Sequence, residues 1–154
     1  MWTITHAQPN DAETILALQK LAYQREARLY DDWSIPPLTQ SIEALLAEFA
    51  DSVVLKAVLG DRIVGSVRAR AASDICAIGR LIVHPDFQRM GIGSDLLKNI
   101  EGCFPHVARY ELFTGSKSEA NIRLYQRHGY TIRRTQALSR TVSLTFMDKP
   151  GREA

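Results

Sequence analysis

Residues 84–97, HPDFQRMGIGSDLL, set Gln88 and Arg89 just ahead of Gly91 and Gly93, and those glycines just ahead of an apolar-periodic run. Because an apolar run ending at Val83 precedes it, this order suits an anion site. The start of a helix offers unpaired N–H groups and the positive end of the helix dipole in one direction. Glycine lacks the Cβ that would hold a phosphate away, Arg89 can add a charge-assisted contact, and Gln88 a neutral one. The same residues also suit a tight turn with close helix packing. A second pair, Asn121 and Tyr125 in NIRLYQRHGY, is spaced by one helical turn, so both side chains can address one ligand. Tyr125 is equally suited to a core position beside Leu124, and Asn121 to a capping amide. A third group, in YQREARLYDDWSIPPLTQ at 23–40, sets Tyr23, Tyr30 and Trp33 beside Glu26, Asp31 and Asp32. Aromatic faces with nearby negative charge suit an ammonium, and the same residues would also make an ordinary solvated helix end.

These residues must be placed by a scaffold of the right kind. A dinucleotide fold would carry its glycine motif after the first strand, with an acid about 20 residues on, and a P-loop would end in Gly-Lys-Ser or Gly-Lys-Thr. Neither is present. The chain of 154 residues, 45% hydrophobic and 23% charged, fits one globular domain. No run approaches the roughly 20 apolar residues that span a bilayer, and the first residues lack the pattern of a signal peptide, so a cytoplasmic protein without a membrane partner is expected. A net charge of +2 with no long basic block argues against nucleic acid. Cys76 and Cys103 sit in or beside apolar runs and read as core residues, and no Cys and His spacing suggests a metal.

The element pattern begins with a short strand, WTITHA, and a helix from Asn10, with Glu13 three residues on as a capping partner, to about Tyr30. Pro36 and Pro37 interrupt the chain. A second helix starts at Ser41, with Ile42, Leu45, Leu46 and Phe49 on one face. VVLKAVL and RIVGSVRARA form a hairpin about Gly60-Asp61. The arginines of 62–70, and those of 132–140, read as solvated strand faces. DICAIGRLIV is a further strand in which Gly79 marks a bulge or a close backbone approach. A helix to about Cys103, the strand RYELFTG, a helix closed by Gly129 and two last strands, YTIRRTQAL and TVSLTFMDK, complete the order. Tyr110, Phe113 and Tyr130 are expected in the core. Strands in a run, with helical crossings only later, suggest a mixed sheet covered on both faces.

The run from Val83 to Gly93, followed by Leu96 and Leu97, resembles the acyl-CoA-binding motif of the GNAT superfamily of N-acyltransferases. NIRLYQRHGY resembles the segment in which that family commonly carries an Asn and then a Tyr, on the helix after the fifth strand. Order and spacing of the elements agree over nearly the full length. The resemblance implies a single domain over residues 1–154, of α/β (α+β) class. Its mixed, mostly antiparallel sheet of six to seven strands would splay between strands four and five and be flanked by about four helices. CoA would enter that opening from one side and the acceptor from the other.

On the same resemblance the chain uses acetyl-CoA, with Leu81, Ile82, Val83 and Asn121 at the pantetheine arm. Gln88, Arg89, Met90, Gly91, Ile92, Gly93 and Ser94 would hold the pyrophosphate. Tyr125 would give a proton to the departing sulfur. Its reference pKa of about 10 lies above the thiol's, about 8.5, so placement and a strengthening hydrogen bond must do the stabilising. Residues 23–40 correspond to the variable helices over the acceptor site, which makes Tyr23, Glu26, Tyr30 and Trp33 candidate substrate contacts. Many members take a base from a carboxylate on or near strand four, yet no acid lies between Asp74 and Val83. Glu111, Glu26, Asp31, Asp32, His84, or a backbone carbonyl with waters, remain as candidates. Neither cysteine falls at a matched functional position, so a primary amine would attack directly in a ternary complex. The alternative is a non-catalytic acyl-CoA-binding sensor or recruitment module, which the missing strand-four acid would suit, whereas Tyr125 and Asn121 favour the enzyme. Exposed strands such as 141–148 could pair across a homodimer. The acceptor and the acyl length stay open.

Overall fold

The computed structural model describes residues 1–151. Its strands follow the runs of branched and aromatic residues: β1 (Trp2–His6), β2 (Val53–Leu59), β3 (Arg62–Ala72), β4 (Ile75–Val83), β5 (Arg109–Gly115), β6 (Thr131–Ala137) and β7 (Ser143–Pro150). They form one sheet in the order β1-β2-β3-β4-β5-β7-β6, antiparallel throughout except where β4 meets β5. Gly60, at φ +65°, makes the β2–β3 turn.

The helices are α1 (Ala12–Ala22), α2 (Gln24–Tyr30), α3 (Pro36–Thr39), α4 (Ile42–Glu48), α5 (Ile92–Gly102) and α6 (Glu119–Arg127). The single helix expected from Asn10 to Tyr30 is broken at Tyr23, and α3 is one turn within the proline segment. The start signal is also displaced. Pro9 needs no N–H acceptor, so a 3-10 turn opens at Gln8, whose backbone N–H donates to Asp11 Oδ2 at 2.8 Å, and Asn10 caps nothing. Ser41 caps α4 as its type predicts, its Oγ accepting from Ala44 N at 3.1 Å. Leu45 is fully buried there, while Leu46, expected on the same face, is exposed.

Val54 and Leu55, neighbours on β2, belong to different apolar clusters because successive strand residues face opposite ways. On one face α5 packs Leu96, Leu97 and Ile100 over Val64, Val67 and Cys76. On the other, Ile15 and Leu45 cover Val54. A third, smaller cluster joins Ala27, Tyr30 and Ile35 to Val142. Tyr110 and Tyr130 are core residues as expected, but Phe113 is 48% exposed because strand alternation puts it on the face opposite to the buried Tyr110, Leu112 and Thr114.

Two further expectations fail for reasons of tertiary packing. Arg68 is not solvated: it is 4% exposed, and its guanidinium meets Glu48 of α4 at 2.8 Å, Gln19 of α1 at 3.0 Å and Gln40 at 2.9 Å. Strand alternation does not foresee partners supplied from 20 and 49 residues away. Nor is β7 an edge, for it lies between β5 and β6, so the edge on that side is β6, whose residues are all exposed. Among the described residues no helix is long and apolar enough to cross a membrane.

Candidate active site

The parallel ladder between β4 and β5 holds only Ile75 to Arg109, Cys76 to Tyr110 and Ala77 to Glu111. Beyond Ala77 the strands part. β5 stays with β7 to Gly115, whereas β4 stays with β3, leaving its other edge from Ile78 to Val83 without a strand partner. An extended ligand can add to such an edge through main-chain hydrogen bonds. The β3–β4 register slips between Ser66–Ile82 and Arg68–Gly79, so Arg80 and Leu81 together oppose Val67. The bulge thus falls on Arg80, at φ +51°, next to the glycine expected to mark it. That is an uncommon conformation for a residue with a Cβ.

A cleft fills the opening. Its walls are Ile78 to Leu81 of β4, Phe113 to Gly115 of β5, Asn121 and Tyr125 of α6, Tyr23, Glu26 and Tyr30 around α2, Ile35 to Pro37, and Leu138, Val142 and Leu144 of the last hairpin. Asn121 and Tyr125 therefore face one cavity. The Tyr125 ring is buried edge-on to Tyr130 at 6.0 Å, and its hydroxyl has no hydrogen-bond partner among the described residues. Burial raises its pKa, as do Tyr23 and the Glu26 carboxylate, so the phenol keeps its proton at neutral pH.

At the other end of β4, α5 starts at Gly91, which sits at φ +96°. The first helical bond closes from Asp95 N to Gly91 O, and no side chain caps this end, so the amides of Ile92, Gly93 and Ser94 have no intrahelical acceptor. Arg89 is left-handed too, at φ +63°, and lies exposed with Met90 and Gly91. Only Gly91 needs glycine's backbone freedom, since a Cβ on Gly93 would make ordinary contacts with Leu124 and Val83. Gln88 is tied back, its Nε2 donating to Val83 O at 2.8 Å. Ser94 Oγ lies 2.7 Å from His128 Nε2, a link from α5 to the end of α6 that the sequence did not suggest. Burial lowers the His128 pKa and favours the neutral ring.

The expected acceptor segment is divided. Tyr23, Glu26 and Tyr30 line the cleft; Trp33 does not, being 53% exposed. The chain turns away at Asp31, φ +50°, and Asp32 holds the turn by accepting from Ser34 N and Oγ. Tyr30 is a strut, its hydroxyl accepting from Lys117 N at 2.7 Å and its ring facing Lys117 Nζ. Among the named base candidates only Glu26 reaches the cleft. Glu111 pairs with Arg109, Asp32 with Ser34 and Thr141, and His84 accepts from Asp86 N. Ser118 Oγ donates to Glu26, and burial nonetheless raises the carboxyl's pKa against the lowering effects of Ser118 and Arg25. The cleft thus holds a carboxyl, supplied by α2 and not by β4.

A family model for the acetyltransferase (GNAT) domain matches residues 50–132 of this chain, just over half of it. The chain belongs to the GNAT family. Among solved structures, the ribosomal-protein-S18-alanine N-acetyltransferase of Escherichia coli superposes with a TM-score of 0.81 at 17% identity, over 97% of this chain and 94% of that one. The PaiA N-acetyltransferase of Thermoplasma acidophilum, solved with coenzyme A, gives 0.80 at 16% identity over 97% and 99%. At such identities the likeness is one of fold. The UPF0157 protein YqkA of Bacillus subtilis (strain 168) is 25% identical over 139 residues, and the chain, matched over 88% of its own length, spans only 40% of that relative. The GNAT match takes in β2 to α6, and with them the β4 edge and the α5 loop. The walls from α2, α3 and the last hairpin lie outside it.

Proposed function

We propose that this GNAT domain transfers an acetyl group from acetyl-CoA to a primary amine of a small molecule or peptide, by direct attack in a ternary complex. The observation that carries this is one cleft lined by both Tyr125, whose hydroxyl has no partner among the described residues, and Glu26, whose carboxyl burial pushes above its ordinary pKa. The free edge of β4 fits a pantetheine arm, with Leu81 to Val83 and Asn121 as its contacts. The uncapped start of α5 fits a pyrophosphate, with Arg89 beside it. Acetyl-CoA supplies the activated acyl group as a thioester. Glu26 takes the proton of the acceptor ammonium or of the attacking amine. A C–N bond forms as the C–S bond breaks, and Tyr125 gives its proton to the departing sulfur. We assign the protein to the cytoplasm, where its free thiols at Cys76 and Cys103 would persist.

Free thiol release from acetyl-CoA, followed over a panel of amines, tests the proposal. Transfer that requires an amine, collapses in Arg89→Glu through weaker CoA binding, and falls about 100-fold or more in Tyr125→Phe with acetyl-CoA KM unchanged is the expected result. Unchanged turnover in Tyr125→Phe refutes its role as the acid.

A further inference from the structure

Only two charged side chains stand in the wall of the cleft among the described residues, Glu26 and Arg80. Glu26 has been given a role, and Arg80 has not. Its Nε is shut off from solvent and has no hydrogen-bond partner, alone among the buried side-chain nitrogens and oxygens of the described residues. No carboxylate pairs with it, in contrast to Arg68 beside it, whose charge Glu48 neutralises. What does approach Arg80 is the Tyr23 phenol, another cleft residue: burial raises the phenol's pKa, while the arginine's charge and a hydrogen-bonding contact with the guanidinium lower it, so the buried Nε is the guanidinium atom left without an acceptor. The side chain also leaves the sheet at the bulge, from the left-handed backbone that the bulge adopts. Bulges beside a site re-aim a side chain. Leaving a charged donor buried without an acceptor is costly, and a carboxylate is the acceptor that matches a guanidinium fork.

We infer that the acceptor is an aminocarboxylate, an amine carrying a carboxylate on the same small molecule, with Arg80 holding the carboxylate and Glu26 the amine. This rests on the transferase reading and narrows its substrate class. The two wall charges then meet their complements, and a simple monoamine or a polyamine would leave Arg80 with the Tyr23 phenol alone and its Nε without an acceptor. Arg80 lies on the α2 side of β4 with Tyr23, apart from the Gln88–Ser94 loop, so its partner is a group of the acceptor and not a phosphate of CoA.

The test uses the whole chain, acetyl-CoA, and matched pairs of acceptors: α- to ω-amino acids against their carboxamides, with rates referred to the unprotonated amine. Wild-type protein is expected to favour the acid member in kcat/KM by about tenfold or more, the scale of one charge-assisted hydrogen-bonded pair. Arg80→Gln should erase that preference by losing rate on the acid alone, with acetyl-CoA KM unchanged, and Arg80→Lys should keep part of it. Equal use of both members by the wild type, a preference that survives Arg80→Gln, or a changed acetyl-CoA KM overturns the inference and leaves the transferase standing. If no amine releases thiol, the transferase fails, and calorimetric titration of the same amino acids into acetyl-CoA-saturated protein decides. Binding lost in Arg80→Gln supports the carboxylate site, and binding by neither protein overturns it. The urea midpoint of each variant shows whether it is folded.

Discussion

Gly115, at the end of β5, gives the sharpest test of how the cleft is built. A Cβ placed there would lie 2.8 Å from Tyr30 Cζ and 2.9 Å from Glu26 Oε2, and closer still to Tyr30 Oη. Its φ is not positive, so alanine is excluded by contact and not by backbone preference. Tyr30 is 5% exposed and its hydroxyl accepts from Lys117 N, so the ring cannot yield without losing that bond. Overpacking of this kind costs about 1–3 kcal/mol and the lost hydrogen bond ~1 kcal/mol, against about 0.7 kcal/mol regained from the unfolded chain. Gly115→Ala should therefore destabilise by about 2 kcal/mol, a fall of roughly 1 M in the urea midpoint for an m-value near ~2 kcal/mol/M. Because Glu26 is displaced as well, kcat/KM for the amine should drop while acetyl-CoA KM holds. Tyr30→Phe added to Gly115→Ala should cost less than Tyr30→Phe alone, by about 1 kcal/mol. A Gly115→Ala protein within about 0.5 kcal/mol of wild type and unchanged in activity would refute the reasoning.

Glu26 binds its proton more tightly folded than unfolded, so its contribution to stability is present below the unfolded carboxyl pKa and is lost as pH rises through the raised folded value. The kcat/KM profile should rise with pH along a limb above the ordinary carboxylate range, and Glu26→Gln should abolish that limb; a limb that survives excludes Glu26 as the base. Removing the partner of the buried Arg68 guanidinium, by Glu48→Ala, should cost about 3 kcal/mol in urea unfolding, and a loss under about 1 kcal/mol would show that Gln19 and Gln40 suffice. Gly91→Ala forces a Cβ onto φ +96° and should weaken CoA about tenfold by calorimetry, with Gly91→Asn milder; equal affinities would mean that the loop does not bear on the anion.

What the sequence disclosed was local or periodic. The glycine loop, the helix after it and the Asn121–Tyr125 pair are read from residues within one or two turns, and the structure puts that pair in one cleft. What it hid depended on distant partners. Arg68 reads as part of a solvated strand face and Arg80 as a strand residue without a role, yet one is sealed by α1 and α4 and the other is turned by a bulge. Trp33 seemed to belong with Tyr23 and Tyr30 by proximity in the chain, and a single left-handed residue, Asp31, separates them. Phe113 looked like core by its type, but the buried residues of β5 are Tyr110, Leu112 and Thr114, and Phe113 falls between them on the other face.

The short ladder between β4 and β5 bears on how such a domain can diversify. Three paired positions join the two leaves of the sheet, and the loop at the start of α5 follows the first and is linked to α6 through Ser94 and His128. The far walls of the cleft come from 23–37 and from 138–144, tied to one another by Asp32 to Thr141 and to the β5–α6 turn by Glu26 to Ser118 and Tyr30 to Lys117. Substitutions in those two stretches can alter the shape and charge of the chamber while residues 83–94 keep theirs. Inheritance can thus hold the loop of residues 83–94 constant and rewrite those two stretches, whose ties run to each other and to the β5–α6 turn.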